Sequence, residues 1–178
     1  MKLIIIFLLF LPNISNARPI ISGISPTKVE IDTNFTGTEI LLFGSKIHYG
    51  DLVVIIKGPK NNYFINKQDK IFGIWHNKER TKIKDIYSYY AFFSTNNDYH
   101  SNYKLFPKIE AEENNIIFNS NEQNARKKSQ FKIEFIKIKK GNNLYHEHPK
   151  GVEFLDEQLY KVKINFPKNI PNGTYSVE

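Results

Sequence analysis

The sequence predicts a mainly β protein, an immunoglobulin-like antiparallel β-sandwich with a helical insertion. Short apolar runs rich in β-branched and aromatic residues are bounded by Gly, Pro, Asn and Asp, which is the pattern of strands joined by turns. The composition agrees, because 14 Phe and 10 Tyr supply bulky core side chains while Ala is scarce. The chain of 178 residues is long enough for one domain with a substantial core. We expect about seven to nine strands, with a partly open barrel as the alternative.

Charge and cysteine content narrow the functional classes. The formal net charge is +7, but the lysines are scattered and an export signal precedes them, so nucleic acid is not an expected partner. A mild attraction to anionic lipid head groups is one explanation of the charge, and simple solubility is the other. The absence of cysteine excludes disulfides, thiolate metal sites and a cysteine nucleophile.

The first residues have the pattern of a secretory signal peptide. A positively charged start precedes an apolar run that ends at Leu11 and is shorter than the roughly 20 residues needed to span a bilayer. Small residues at Ser15 and Ala17 match the signal peptidase pattern, so cleavage is predicted after Ala17. The sequence therefore predicts a signal peptide over 1–17 and an exported β-sandwich domain over 18–178. An uncleaved membrane anchor is the alternative.

The first part of the exported domain carries the clearest strand patterns. Residues 19–26 are interpreted as an extended lead-in, and the alternation of polar and apolar residues in 28–32 predicts a strand. The turn that follows is assigned to Gly37, which is expected to have a positive φ. The apolar runs 39–44 and 51–57 predict two core strands.

The middle of the chain predicts a hairpin and a buried strand. Residues 63–67 and 70–76 are expected to pair across Gln68 and Asp69. The aromatic run over 87–93 is interpreted as a buried strand, because a sandwich core needs such strands. A patch at a membrane interface is the alternative for this run.

A helical insertion is predicted over about 99–140. Phe131, Phe135 and Ile138 fall on one helical face at positions i, i+4 and i+7, and Gly141 is a candidate C-cap. The alternation of Phe131, Ile133 and Phe135 also fits a strand, so the periodicity alone leaves both open. The many lysines of this segment are expected to form a solvated face.

The last part of the chain returns to strand patterns. Residues 151–155 and 158–166 predict two strands, and 167–173, with two Pro and a Gly, predict a turn. A further strand begins at 174, and its closeness to residue 178 leads us to expect that the domain is truncated at its C-terminal end.

Several short motifs follow one another in a recognisable order along the exported domain. The motifs are Phe35-Thr-Gly-Thr38, Leu41-Leu-Phe-Gly44, Asp51-Leu-Val-Val54, Lys57-Gly-Pro59, Gly73-Ile-Trp75 with Asn77, Tyr89-Tyr-Ala91 with Ser94-Thr95, Leu144-Tyr145, and Pro167 to Glu178. Their order resembles that of a known family, the alphaproteobacterial transmembrane protein family of unknown function. The resemblance covers residues from about Ile24 to Glu178 and rests on the ordered set rather than on one motif.

This resemblance implies an exported domain that is followed by one C-terminal membrane helix. It also implies association with a sulfite-exporter-type permease, and it supplies no catalytic residues. The present chain has no apolar stretch of the length that a membrane helix needs, so we expect it to be truncated before that helix.

The candidate chemistry is limited to a histidine cluster. His146-Glu-His148 places two imidazoles close together, and imidazole is a preferred ligand of Zn²⁺ and Cu²⁺. A further ligand is needed, for which His48, His76 and His100 are the candidates, and the surrounding polar residues also fit an ordinary surface loop. No nucleophile elbow, phosphate loop or dinucleotide fingerprint is present, so no enzyme is expected and no cofactor is assigned.

Four aromatic residues could also line an apolar pocket or a partner groove, although aromatic residues on strands are more often core. They are Trp75, Tyr87, Tyr89 and Tyr90.

The sequence leaves several functional hypotheses. The first is a non-enzymatic exported accessory domain at the periplasmic face of the inner membrane, beside a permease or another envelope protein. The second is a periplasmic metal-binding protein that uses His146 and His148. An enzyme of unrecognised type, and a truncated gene product without function, are the remaining alternatives.

Overall fold

The computed structural model describes residues 20–46, 50–96 and 116–178. The predicted signal peptide and the first part of the predicted helical insertion lie outside the described residues. No helix among the described residues is long and apolar enough to cross a membrane.

The described residues form eleven strands and one helix. They are β1 Ile21–Ser25, β2 Gly37–Ser45, β3 Val53–Lys57, β4 Lys60–Ile71, β5 Ile74–Tyr87, β6 Tyr90–Ser94, β7 Asn119–Ser120, α1 Ala125–Gly141, β8 Tyr145–His148, β9 Val152–Phe154, β10 Leu159–Pro167 and β11 Ser176–Val177.

Two four-stranded sheets form the sandwich. The first sheet has the order β1-β2-β10-β9, and the second has the order β11-β3-β6-β8. Aromatic side chains join them, since the Tyr89 ring beside β6 lies 5.2 Å from the Phe166 ring of β10. The predicted fold class, a mainly β sandwich with a helical insertion, is therefore confirmed. One pairing departs from the antiparallel pattern, because β8 runs parallel to β6 after a connection that contains α1.

A third sheet and the helix cover the outer face of the second sheet. The third sheet has the order β4-β5-β7 and consists mainly of the long β4–β5 hairpin. Phe135 of α1 packs against Tyr145 of β8 and Tyr63 of β4, with ring centroids 6.0 Å and 5.4 Å apart. The second sheet thus lies between two layers, and for that reason every residue of β6 is buried. The interpretation of 87–93 as a core segment is confirmed at Tyr89, Tyr90 and Phe92.

The strands β2 and β10 have only one buried face. Ile40 and Leu42 point into the core, whereas Leu41 and Phe43 are exposed on the opposite face of the same strand. β2 pairs with β10 over nine residue pairs, from Gly37 to Ser45. The predicted positive φ of Gly37 is observed at 109°.

The strand predicted over 28–32 is wrong. The first strand is instead β1, in the segment interpreted as a lead-in, and it pairs with β2. Val29 and Ile31 still pack against the core from an irregular segment. Their alternation therefore reflects one-sided burial of an extended chain without ladder hydrogen bonds, and apolar alternation alone cannot tell these two cases apart.

The predicted hairpin is present, but its turn was misplaced. Gln68 and Asp69 lie within β4, and the turn is formed by Phe72 and Gly73. Both turn residues have positive φ values, 49° for Phe72 and 84° for Gly73, as in a two-residue turn of type I′. An aromatic residue is unusual at the first of these positions, where Asn or Gly is preferred, so the polar pair at 68–69 was the more obvious choice.

The helix prediction is confirmed over Ala125–Gly141, and the strand alternative for this segment is excluded. Asn124 is the N-cap, because its side-chain oxygen accepts hydrogen bonds from the Arg126 and Lys127 amides. Gly141 is the last helical residue rather than the cap, and Asn142 takes the C-cap position.

Candidate functional site

The two histidines of the predicted metal cluster lie on a strand rather than in a polar loop. His146 and His148 belong to β8, which pairs with the buried strand β6. Residues two apart on a strand point to the same face, so the imidazoles are neighbours, with ring centroids 4.8 Å apart. The loop interpretation is wrong. The strand partner of β8 lies far away in the sequence, since Tyr145 pairs with Tyr90, 55 residues earlier, and such a distant partner cannot be recognised from the local sequence.

Aromatic groups enclose this histidine pair. The His148 ring stacks on the Phe93 ring with centroids 5.0 Å apart, and the Tyr89 hydroxyl lies 3.0 Å from Nε2 of His146. A Cβ added at Gly151 would lie 2.7 Å from the Phe93 ring, so the turn after β8 covers the pair closely. The pair is therefore a partly buried cluster with an aromatic lining.

Both imidazoles are neutral at pH 7. Burial, and secondly the charge of His148, lower the pKa of His146 to about 4. Burial likewise lowers the pKa of His148. Burial raises the pKa of the Tyr89 hydroxyl, which stays protonated and shares a hydrogen bond of 3.0 Å with His146 Nε2. A neutral imidazole can bind a metal ion, but here one ring nitrogen of His146 is already engaged.

The described residues bring no third ligand to the pair. Across residues 20–46, 50–96 and 116–178, no three His, Asp or Glu side chains are grouped so that they could hold a metal ion. His76 is exposed near the turn of the β4–β5 hairpin. His48 and His100 lie outside the described residues. The two ligands proposed from the sequence are adjacent, but protein zinc sites use at least three.

A buried lysine forms a second polar feature, which the sequence patterns do not predict. Lys139 of α1 is only 5% exposed, and its Nζ donates a hydrogen bond of 3.0 Å to the Ser88 carbonyl. The Tyr63 ring centroid lies 4.0 Å from Nζ, and the Phe135 and Tyr145 centroids lie 5.4 Å and 5.8 Å away. We call these three rings the aromatic cage, whose faces stabilise the cation.

The aromatic cage has a structural role at the bend between β5 and β6. Lys139 satisfies the Ser88 carbonyl there, and the Tyr145 hydroxyl donates to the preceding carbonyl, that of Tyr87, at 2.5 Å. Burial lowers the pKa of Lys139 to about 8, so part of the amine is neutral near pH 8. A neutral amine is a nucleophile, but this one is sealed behind aromatic rings.

The helical periodicity contained a signal for this burial. Lys139 is four residues after Phe135 and eight after Phe131, on the stripe that faces the core. The i, i+4, i+7 spacing predicts Ile138 on that stripe, yet Ile138 is 53% exposed. Residue type favours Ile138 over Lys139 as the core-facing residue, because a lysine is rarely buried without a carboxylate partner.

Two grooves open on the described surface. The first, the inter-sheet groove, lies between the first and second sheets and has a volume of about 490 Å³. Most of its lining is apolar and includes Ile24, Val29, Ile31, Phe166, Tyr175 and Val177. Thr27, Lys28 and Asn172 supply polar groups. The volume is within the usual range of ligand sites.

The second groove, the helix groove, lies between α1 and the β4–β5 hairpin, also with a volume of about 490 Å³. Ile65, Phe131 and Ile138 line it together with Glu79 and Glu134. Glu79 forms a 2.7 Å ion pair with Lys127 of the helix. The helix groove is therefore partly closed by charge pairing.

The four aromatic residues that were candidates for lining a pocket differ in burial. Tyr89 and Tyr90 are fully buried in the core, and Tyr87 is packed against it. Trp75 is exposed beside the turn of the β4–β5 hairpin. The structure therefore assigns the tyrosines to packing and leaves the tryptophan on the surface.

The fold and its grooves define a class of protein, a mainly β sandwich domain with an apolar groove between its sheets. The chain belongs to the family described as "Putative transmembrane protein (Alph_Pro_TM)", whose model matches residues 19–178. The resemblance drawn from the ordered motifs is thereby confirmed at the level of the family. Comparisons with curated proteins and with solved structures gave no match.

Proposed function

We propose that this chain is an exported, non-enzymatic accessory domain that acts at the periplasmic face of the inner membrane. It binds an envelope protein there, a sulfite-exporter-like permease or another membrane protein. The observation that carries the proposal is the inter-sheet groove, whose apolar lining fits an apolar protein segment better than a polar substrate. The family description, the signal pattern at the N-terminus and the β-rich fold support it.

The occupant that best fits the groove is an extended apolar segment of such a membrane protein. β1 is an edge strand in the described sheet order, and Ile21 on it is exposed. An edge strand beside an apolar groove suits addition of a peptide strand, with backbone hydrogen bonds to the edge and alternate side chains in the groove. Lys28, exposed at the rim of the groove, forms a 3.4 Å ion pair with Glu30 and supplies a polar group beside the apolar lining.

The placement of the reactive groups supports a binding role rather than catalysis. Two basic side chains whose pKa burial lowers strongly, His146 and Lys139, are enclosed by aromatic rings. Neither belongs to the described lining of the two grooves. An active site needs such groups to face a substrate.

Site-specific photo-crosslinking in intact cells tests this proposal. A benzoylphenylalanine at Lys28, at the groove rim, is expected to crosslink to an integral membrane protein identified by mass spectrometry. The same residue at Lys137, exposed on α1 and outside both groove linings, is the matched control and is expected to give no such adduct. The Ile31→Arg substitution places a charge in the groove and should abolish the adduct at Lys28 while the thermal transition persists.

Three outcomes would count against the proposed function. They are identical adducts from positions 28 and 137, an adduct that survives Ile31→Arg, and adducts with soluble proteins only.

The histidine pair favours a second candidate function, periplasmic metal binding. The rings are adjacent and neutral at pH 7, so an ion could bind if a water molecule or another group completed its ligands. Calorimetry with Zn²⁺ and Cu²⁺ is expected to show one site that is lost in both His146→Ala and His148→Ala. Binding that is unchanged in both variants would end this candidate.

A further inference from the structure

The turn of the β4–β5 hairpin carries large apolar side chains that the fold does not use. We call residues Lys70 to His76 the hairpin tip. Phe72 is 100% exposed, Trp75 is 64% exposed and Ile74 is 63% exposed. Every side chain that the structure describes within the hairpin tip is exposed. Three neighbouring large apolar residues on one turn are unlike the scattered exposed apolar residues of an ordinary surface.

The backbone of the turn makes Phe72 more unusual still. Its φ of 49° lies in the left-handed region, which Asn and Gly adopt with less strain than an aromatic residue. No heavy atom beyond the neighbouring residues lies within 4 Å of a Cβ built at Gly73, so the turn stands in open space. A strained, fully exposed phenylalanine stabilises nothing within the described domain, which points to a contact outside it.

Basic side chains lie beside the hairpin tip and further along the hairpin. The Nζ of Lys70 lies 5.8 Å from the Trp75 ring centroid, and the Arg80 guanidinium lies 4.0 Å from the centroid of the half-exposed Phe64 ring. Residues 60–87 contain seven Lys or Arg and three Asp or Glu. One of those acids, Glu79, is paired with a lysine of α1. The hairpin is therefore apolar at its tip and positively charged along its length.

We propose that the hairpin tip inserts into the interfacial region of an anionic lipid bilayer. Trp and Phe side chains partition to the boundary between head groups and acyl chains, and lysines and arginines attract anionic head groups. The apolar and basic groups follow one another along the hairpin, in the order in which a bilayer presents acyl chains and then phosphates. A turn exposed on all sides fits this layered surface better than a concave protein site. The inference goes beyond the proposed function, because it needs no protein partner.

The chain reports on this contact itself, because Trp75 is its single tryptophan. We expect a blue shift of Trp75 emission when the full chain is mixed with phosphatidylcholine vesicles that contain one-third phosphatidylglycerol. Brominated lipids should quench that emission. Vesicles of phosphatidylcholine alone should give a much smaller shift, and added salt should weaken binding, because the attraction is partly electrostatic. Emission from residue 75 distinguishes insertion of the hairpin tip from binding through any other segment.

The Phe72→Asn substitution tests membrane binding by the hairpin tip without disturbing the fold. Asn-Gly is the preferred sequence of a type I′ turn, so the thermal transition should be retained or raised. The apparent affinity for the anionic vesicles, read from Trp75 emission, should fall about tenfold. Leu155→Asn removes an exposed apolar side chain from another part of the surface and is the matched control, with no expected change.

Several results would overturn the inference. They are an unchanged Trp75 emission with anionic vesicles, a blue shift that Phe72→Asn leaves intact, and shielding of Trp75 by envelope membranes but not by lipid vesicles, which would assign the hairpin tip to a protein. Failure here leaves the groove proposal standing, since the crosslink at Lys28 involves neither the hairpin nor lipid.

Discussion

Acidification from pH 6.5 to pH 4 is expected to lower the free energy of unfolding by about 2 to 3 kcal/mol through His146 alone. The folded state holds the pKa of His146 at about 4, against 6.5 for an exposed imidazole. Between these values the unfolded chain binds the proton and the folded chain does not, so stability falls as the pH falls. Burial among aromatic rings is the main cause, because the Tyr89 contact alone cannot replace the lost hydration of an imidazolium.

Urea titrations at a series of pH values measure this effect. The His146→Gln variant keeps a side-chain group that can accept from the Tyr89 hydroxyl but does not titrate, so its stability should depend less on pH over the same interval. His148, whose pKa burial also lowers, should make a smaller contribution of the same sign, which His148→Gln isolates. Parallel stability curves for the native chain and His146→Gln would contradict the burial of a neutral imidazole.

Alkaline conditions should raise stability through Lys139, by up to about 3 kcal/mol between pH 8 and pH 10.5. The ordinary lysine pKa of 10.5 falls to about 8 in the folded state. In this window the unfolded chain carries the proton that the folded chain has lost, and stability therefore rises with pH. Burial raises the pKa of Tyr63 and Tyr175, so the folded state disfavours their ionisation, and this opposes the gain above about pH 10.

The comparison of Lys139→Met with the native chain isolates the lysine. Methionine has a similar length and no titrating group, so the rise in stability from pH 8 to pH 10 should disappear. Lys140→Met, at the next and exposed position of α1, controls for the loss of one positive charge. If Lys139→Met keeps the full rise in stability between pH 8 and pH 10, the rise comes from another group. The amine of Lys139 in the native chain would then be hydrated and not held in the aromatic cage.

The elements that could be predicted from the sequence are those in which the pattern of apolar residues within the segment itself shows which face is buried. The strands predicted over 39–44, 51–57 and 158–166 correspond to β2, β3 and β10, whose apolar residues face the core. The helix over 125–141 could be predicted because the spacing of its phenylalanines matches one helical face. In each case the pattern and the tertiary environment agree.

The features that escaped prediction depend on distant partners. β8 is a strand because β6 lies beside it, and without that partner Tyr145 to His148 reads as a polar loop. Lys139 donates to the Ser88 carbonyl at the bend after β5, which lies 51 residues earlier in the chain. Phe72 forms a turn that its residue type disfavours. The candidate metal ligands could be predicted as neighbours, but not their enclosure by Tyr89 and Phe93.

The parallel pairing of β6 with β8 also constrains the order in which the chain can fold. Tyr90 pairs with Tyr145, which lies 55 residues later in the chain, and we expect such a distant pairing to form late in folding. Until then β6, the most apolar strand of the sandwich, has an open edge that could pair with the same segment of another chain. Productive folding therefore competes with association of chains through the open edge of β6. The yield of refolding should fall as protein concentration rises.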